Sequence, residues 1–426
     1  MEPFSYRQGD LYCENVRAED IAARFGSPAL VYSAAAIEAN VEAFRTAFAE
    51  LDPLICFAVK ACPMVGVLRR VCGAGCGMCA TSGSDLERAW LSGARFADVV
   101  FSGVDKTHDD LRAMLDGIYS PLFQAGMTVA GRPPYYRGPV GWVVAESEEE
   151  LRRIASAAQG LRITARVAVR VALPRASDPD QRSALRSRDF ESKFGVHAAM
   201  VPGLFAAYRD APNVKLAGLH LHLGTSVLEP ERFAASAAEL VGIAERVEAG
   251  GDAIEMLDIG GGFAAIGVSD SSPKPADYAA AVTPVLKERS IAGTKIVIEP
   301  GRAISASAAV MLVRVRDTKP LEDRELLVAD AGLHARGRPR DVEGFRLVWP
   351  ATVDPDHEPP SEGTERIDTH GMRWYDIVGP GAWDDDAIAR GRLIPKVETG
   401  GLLAVFAAGA YTERAIAADH AAPRPA

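Results

Sequence analysis

Short apolar runs recur along most of the chain, and between them apolar residues return with the three-to-four-residue period of an amphipathic helix. The runs are Leu54 to Lys60, Gly77 to Thr81, Asp98 to Gly103, Gly141 to Glu146, Ile163 to Val171, Val214 to Leu223, Met256 to Gly260 and Lys295 to Glu299. Helical stretches such as Glu148 to Ala158 and Pro230 to Ala249 separate them, and Ile37, Val41, Phe44 and Phe48 share one helical face ahead of the first. Strands alternating with helices in this rhythm predict an α/β fold, a parallel (β/α)8 TIM-like barrel, with a doubly wound open sheet as its rival.

The pattern differs at both ends. Leu11 to Ala29 reads as a strand and a short helix, stopped by Arg24-Phe25-Gly26-Ser27-Pro28, and Leu30-Val31-Tyr32 as a lead-in strand to the barrel. From about Ser305 the period shortens to alternating runs at Ala309 to Val315, Glu325 to Ala329, Phe345 to Trp349, Tyr375 to Val378 and Leu402 to Ala407, which predict a C-terminal β-barrel or sandwich. The expected division is a barrel over 30–304 and a β-rich domain built from 1–29 and 305–426. Ser120 to Pro139 and the Pro-, Asp- and Glu-rich Ala351 to Gly371 interrupt the rhythm and read as inserted loops, the first as a surface loop or lid.

A chain of 426 residues is long enough for two such domains, and 48% hydrophobic with 24% charged residues is a globular composition. The net charge of -10 argues against a nucleic-acid partner, which needs clustered cations. No apolar run is long enough to span a bilayer and Met1 to Gln8 has no signal-peptide core, so a cytoplasmic location without a membrane partner is expected. Cys72, Cys76 and Cys79 lack the further ligands of a zinc site, and no metal is expected.

Barrel active sites are built at the carboxyl ends of the strands. Strand one ends in Lys60, strand six in His220-Leu221-His222-Leu223-Gly224-Thr225-Ser226, strand seven in Asp258-Ile259-Gly260-Gly261-Gly262-Phe263, and strand eight in Glu299-Pro300-Gly301-Arg302. Each has an ordinary reading, as a solvated lysine, a packed histidine or a turn. Together they suit a cofactor. A desolvated lysine is nucleophilic toward an aldehyde such as that of pyridoxal phosphate. Glycine amides and Arg302 can approach phosphate oxygens, His222 can stack on an aromatic ring, and Glu299 can keep a pyridine nitrogen protonated.

These residues resemble those of the fold-type III pyridoxal phosphate decarboxylases, the family of diaminopimelate, ornithine and arginine decarboxylases. Further pieces of the resemblance are Phe101 to Thr107, Glu146 to Leu151, Ser192-Lys193-Phe194-Gly195, Asp330-Ala331-Gly332 and Gly409-Ala410-Tyr411-Thr412. It implies an alanine racemase-like barrel followed by a β domain, with pyridoxal 5'-phosphate as a Schiff base on Lys60 and His222 over its face. Gly261, Gly262, Arg302 and Tyr411 would surround the phosphate, and Glu299 would meet the ring nitrogen. It also implies a homodimer with shared active sites, in which Lys193 meets an aspartate of the other copy, expected to be Asp386, and an amino-acid substrate whose distal carboxylate lies near Arg338.

The chain departs from that family where the reaction ends. The family's Gly-Pro-x-Cys motif supplies a cysteine that returns a proton to the carbanion, and here the sequence is Gly379-Pro380-Gly381-Ala382-Trp383-Asp384-Asp385-Asp386. Cys79 stands for a family aspartate, Thr225 for a serine and Val342 for a tyrosine. The expected activity is decarboxylation of a non-standard amino acid, with Asp384 or Asp385 or a water as the acid. Two alternatives stay open on the same scaffold: a racemase, epimerase or decarboxylation-linked transaminase, and a non-catalytic regulator that binds pyridoxal phosphate. Glu299 weighs against a racemase, because alanine racemases of this class place an arginine at the ring nitrogen.

Overall fold

A computed structural model of the chain describes residues 3–119, 135–173, 193–265, 272–332, 347–359, 369–381 and 386–412. The chain forms two compact units, one of Glu38–Ala264 with Ser272–Ile304, the other of Met1–Ile37, Ala265–Ser271 and Ser305–Ala426.

In the first unit, eight parallel strands follow one another in chain order: β1 (Leu54–Ala58), β2 (Gly77–Ala80), β3 (Val99–Phe101), β4 (Trp142–Ala145), β5 (Ala165–Ala172), β6 (Val214–His220), β7 (Met256–Asp258) and β8 (Lys295–Ile298). Val143 lies opposite Val167 across β4 and β5, and Val297 opposite Leu54 across β8 and β1, so the sheet closes on itself. That closure excludes the open sheet: these short strands have helices around them and a filled interior, with no edge left to solvate.

Local chemistry starts the helices where the strands stop. Ser82, Thr107 and Ser147 cap the helices Gly83–Ser92, His108–Leu115 and Glu148–Leu161, each hydroxyl accepting a backbone N–H from three residues on. Glu148, Glu149 and Glu150 add negative charge to the first turn of the last. The interruption expected at Ser120 to Pro139 is in part regular: Gly117–Tyr119 and Tyr135–Arg137 pair antiparallel, while 120–134 lie outside the described residues.

The second unit holds a seven-stranded sheet. Its long strand Ala309–Pro320 pairs antiparallel with Leu402–Val405 and with Glu325–Ala329, and Glu325–Ala329 pairs parallel with Met372–Val378. Ala29–Tyr32 pairs with Ala309–Leu312 in this sheet, so the strand read as a lead-in to the barrel belongs to the β unit. The sequence pattern also passes over Ala387–Pro395, antiparallel to Met372–Val378. Gly391 at φ +58° and register shifts in that pairing break the alternation that would reveal the strand.

Candidate active site

The interior of the barrel changes character at one level. Below it Cys56, Val100, Trp142, Val144, Ala168, Met256 and Val297 form an apolar cluster. Inward positions repeat every second residue of a strand; after Cys56 on β1 the next is Ala58, and on β3, β4, β5, β7 and β8 the next ones toward the carboxyl ends are Ser102, Glu146, Arg170, Asp258 and Glu299. All five are polar, and all but Arg170 are fully buried.

On β6 a bulge sets the inward face. Val167 pairs with Leu216 but Ala168 pairs with Gly218, which leaves Ala217 as an extra residue and changes the parity of the rest of the strand. Gly218 then faces the interior, where a side chain would meet Trp142 at 3.1 Å and Ala168 at 3.0 Å. His220 and His222 continue that face, and Arg170, His220 and Asp258 stand side by side in register.

Lys60 sits in a one-turn 3-10 helix, Val59–Ala61, directly after β1 and is half-buried. The loop after β8 is held against it: the Ala58 N–H donates to Pro300 O at 3.2 Å, and a side chain at Gly301 would lie 2.9 Å from Ala61 Cβ. Only glycine allows that approach. It brings the start of the helix Arg302–Ser305 to the same end of the barrel as Lys60.

The glycine run after β7 is wedged between neighbouring loops. A side chain at Gly261 would run into the Glu299 carbonyl oxygen, and one at Gly262, where φ is +110°, would lie 2.8 Å from that of Gly224. The Gly260 N–H donates to Asp258 Oδ1 at 2.8 Å and the Gly261 N–H to His222 Nδ1 at 3.1 Å. Among the described residues the Gly262 N–H donates to no group. Because Nδ1 of His222 accepts, the proton of the neutral ring is on Nε2. Enclosure of that ring, and then the charge of Lys60, push its pKa down to about 3.

Around Glu299 the charges are arranged in opposition. Burial presses its carboxyl upward, and His220, with Nε2 3.6 Å from Oε2, more than offsets that and holds it low, with help from His222 and Cys79. Asp258 goes the other way, raised by burial and by the charge on Glu299. Burial also raises the Cys79 thiol, which lies 3.4 Å from Ser102 Oγ and feels both Glu299 and Lys60. Glu299 Oε1 is buried and has no hydrogen-bond partner among the described residues.

An orphaned acceptor of this kind is costly unless a ligand supplies the donor, and a protonated aromatic ring nitrogen is such a donor. The free Gly262 N–H and the neutral imidazole of His222 suit the phosphate and the face of the same ligand. The residues present therefore fit pyridoxal phosphate.

Of the residues expected from sequence, Lys60, His222, Gly261, Gly262, Glu299 and Arg302 belong to this end of the barrel. Tyr411 belongs to the second unit, at φ +62°. Arg338, Ala382, Asp384 and Asp385 lie outside the described residues. Their neighbour Asp386 is buried and its Oδ2 accepts the Gly381 N–H at 2.8 Å.

Sequence reasoning assigned no role to several groups of the polar layer. Arg170 pairs with Glu146 at 2.7 Å, and Glu146 Oε2 accepts the Gly195 N–H. Lys106 and Glu150 form a buried ion pair at 3.0 Å, closed by Gly103 O and the Glu146 N–H. A signal was present in the strands: an apolar residue followed two positions later by a polar one, as in Val144 and Glu146 or Val297 and Glu299.

Comparison with known proteins bears on the same region. The profile of the family described as "Pyridoxal-dependent decarboxylase, pyridoxal binding domain" matches residues 34–306. The diaminopimelate decarboxylase of Pseudomonas aeruginosa is 33% identical over 414 residues, covering 96% of this chain and 89% of that protein. The diaminopimelate decarboxylase of Haemophilus influenzae is 30% identical over 413 residues, with 96% and 90% covered. A crystal structure of the diaminopimelate decarboxylase of M. jannaschii with L-lysine superposes with a TM-score of 0.79 at 23% identity, over 96% of this chain and 88% of that one, a likeness of fold. With a profile match across the barrel and relatives similar over nearly their whole length, the chain belongs to the pyridoxal-dependent decarboxylase family, whose members are pyridoxal phosphate-dependent carboxy-lyases.

Proposed function

We propose that the chain decarboxylates an amino acid other than diaminopimelate, and that a group other than a cysteine thiol returns the proton to Cα. The observation that carries this reading is an imbalance in the sequence. The cofactor-facing positions of the family motifs are filled, by Lys60, His222, Gly261, Gly262, Glu299, Arg302 and Tyr411, while Ala382 stands at the acid's place and Cys79, Thr225 and Val342 alter the surroundings.

Pyridoxal phosphate, when bound, supplies the electron sink for the pair left at Cα as carbon dioxide departs. Lys60 holds its aldehyde carbon. Glu299, kept ionised, offers Oε1 to the ring nitrogen, and His222, kept neutral, covers the ring without placing a competing charge beside it. Gly261, Gly262 and Arg302 take the phosphate. Asp384 or Asp385, next to Ala382 in the chain, or a water held there, delivers the proton. By resemblance the working unit is a homodimer in which the partner copy contributes to each site, with Arg338 meeting a distal substrate carboxylate.

Turnover in heavy water tests the reading once a screen of amino acids for spectral change at the bound cofactor has found a substrate. An amine carrying one deuterium at Cα is expected. A carbonyl product would move the protonation to the cofactor, and deuterium in recovered amino acid would make the protein a racemase; either would end the proposal.

A further inference from the structure

The strongest unexplained feature is a group of three buried titratable side chains on consecutive strands. The ligand atoms of His220 on β6, Asp258 on β7 and Glu299 after β8 all lie within 4.8 Å of one another. Four of their polar atoms, both His220 nitrogens, Asp258 Oδ2 and Glu299 Oε1, have no hydrogen-bond partner among the described residues. Native interiors rarely leave so many orphans in one place.

We infer that His220 is a positioning residue for the decarboxylation: its Nε2 proton faces Glu299 Oε2 and keeps that carboxylate ionised, so that Oε1 is free to take the proton of the cofactor ring nitrogen. The inference rests on the assignment of Glu299 to that nitrogen. Two carboxyl groups this close in a dry interior cannot both be ionised, so one of Asp258 and Glu299 carries a proton. Asp258 is anchored by its own neighbour, the Gly260 N–H on Oδ1. Among the described residues Glu299 has no backbone donor on either oxygen; the groups that face it are His220 Nε2, at 3.6 Å and just outside hydrogen-bond distance, and the Cys79 thiol.

A thiol is a weak donor. If the imidazole is removed, the shared proton moves to Glu299, and the ring nitrogen loses its acceptor. The other charged or titratable groups around His220 are Arg170 on β5, His222 just past the end of β6, and the thiols Cys56 and Cys79 on β1 and β2. Arg170 is committed to Glu146. The two thiols are held neutral by burial, and His222 is held neutral by its enclosure, so none of these replaces His220.

The test reads the ring nitrogen directly, by the nitrogen-15 signal of labelled pyridoxal phosphate bound to the full chain. The wild-type signal is expected at the protonated position. His220→Leu is expected to shift the pH midpoint of that protonation down by at least about one unit, a tenfold change in proton affinity. His220→Gln, which keeps an N–H near the Nε2 position, is expected to hold most of it. A His220→Leu signal that stays protonated as in wild type overturns the inference, and so does a His220→Gln signal lost as fully as that of His220→Leu. Should His220→Leu not bind the cofactor, nitrogen-15 histidine labelling of the wild-type holoenzyme decides, and an unprotonated His220 Nε2 overturns the inference. Glu299→Gln separates the two readings. If its ring nitrogen keeps the proton, the assignment of Glu299 fails and this inference with it. If Glu299→Gln loses the proton and His220→Leu does not, the inference alone fails.

Discussion

The apolar and the polar parts of the barrel interior meet within one strand repeat and do different work. The lower layer, Cys56, Val100, Trp142, Val144, Ala168, Met256 and Val297, is apolar and tightly enclosed. The upper one, Ser102, Glu146, Arg170, His220, Asp258 and Glu299, keeps the same register and replaces hydrocarbon with charge. The lower layer stabilises the barrel by burying apolar surface. The upper layer places charges and orphaned atoms where water has been removed, a cost that chemistry requires and stability does not. The lesson is that the site belongs to the same strand geometry as the core and is no separate insertion.

Substituting across this divide should give opposite results, and the largest effect is expected at its upper edge. Lys60→Ala should abolish the visible absorbance of bound cofactor and cut activity by at least about a thousandfold, with little change in unfolding free energy because the side chain is half-buried at the mouth. Met256→Ala, in the lower layer and fully buried, should cost about 2–5 kcal/mol in denaturant unfolding while the absorbance band persists. A Met256→Ala protein of wild-type stability, or a Lys60→Ala protein with a normal spectrum, would break the comparison.

The strand rhythm that defines both layers was legible in the sequence, because each strand is a local apolar run between helix signals. All eight expected barrel runs coincide with β1 to β8. The residues at the strand ends were legible too, since Lys60, His222 and Glu299 each stand at the end of a run. What sits beside what was not. The bulge at Ala217 changes which residues of β6 face inward, and only its pairing with β5 reveals it. The pair Glu146 and Arg170 and the pair Lys106 and Glu150 join different strands and helices, and nothing local to either segment marks them as partners. Ala387–Pro395 escaped because a glycine and two register shifts hide its alternation.

A second effect, of intermediate size, concerns pH. His222 titrates at about 3 in the folded chain against an ordinary 6.5. Between those values the unfolded chain binds a proton that the folded chain refuses, so stability rises with pH in that window and falls on acidification through it. The slope contributed is up to about 1.4 kcal/mol per pH unit, lessened by the solvent that reaches a half-buried ring. His222→Asn should flatten the dependence measured by urea unfolding across that range. An unchanged slope would mean that the ring is protonated freely in the folded chain and that the neutral, Nε2-protonated form does not hold.

The smallest effect is expected at the opposite rim of the barrel, where the same strands begin with charges of their own. Arg166 on β5 and Lys215 on β6 both pair with Glu255, just before β7, and all three side chains are about a third to a half exposed. The chemistry of the pairs resembles that of Arg170 with Glu146 farther along the barrel, yet the solvent does not. Water and salt screen the exposed cluster, and holding long side chains in one geometry costs entropy, so such pairs contribute little. Glu255→Gln should therefore change unfolding free energy by less than about 1 kcal/mol, with the difference shrinking further in high salt, and should leave cofactor absorbance and turnover as they are. A loss of activity in Glu255→Gln, measured with the wild-type protein at equal cofactor loading, would show that the amino-end charges reach the site through the apolar layer. The separation of the two layers would then fail as an account of where this barrel keeps its function.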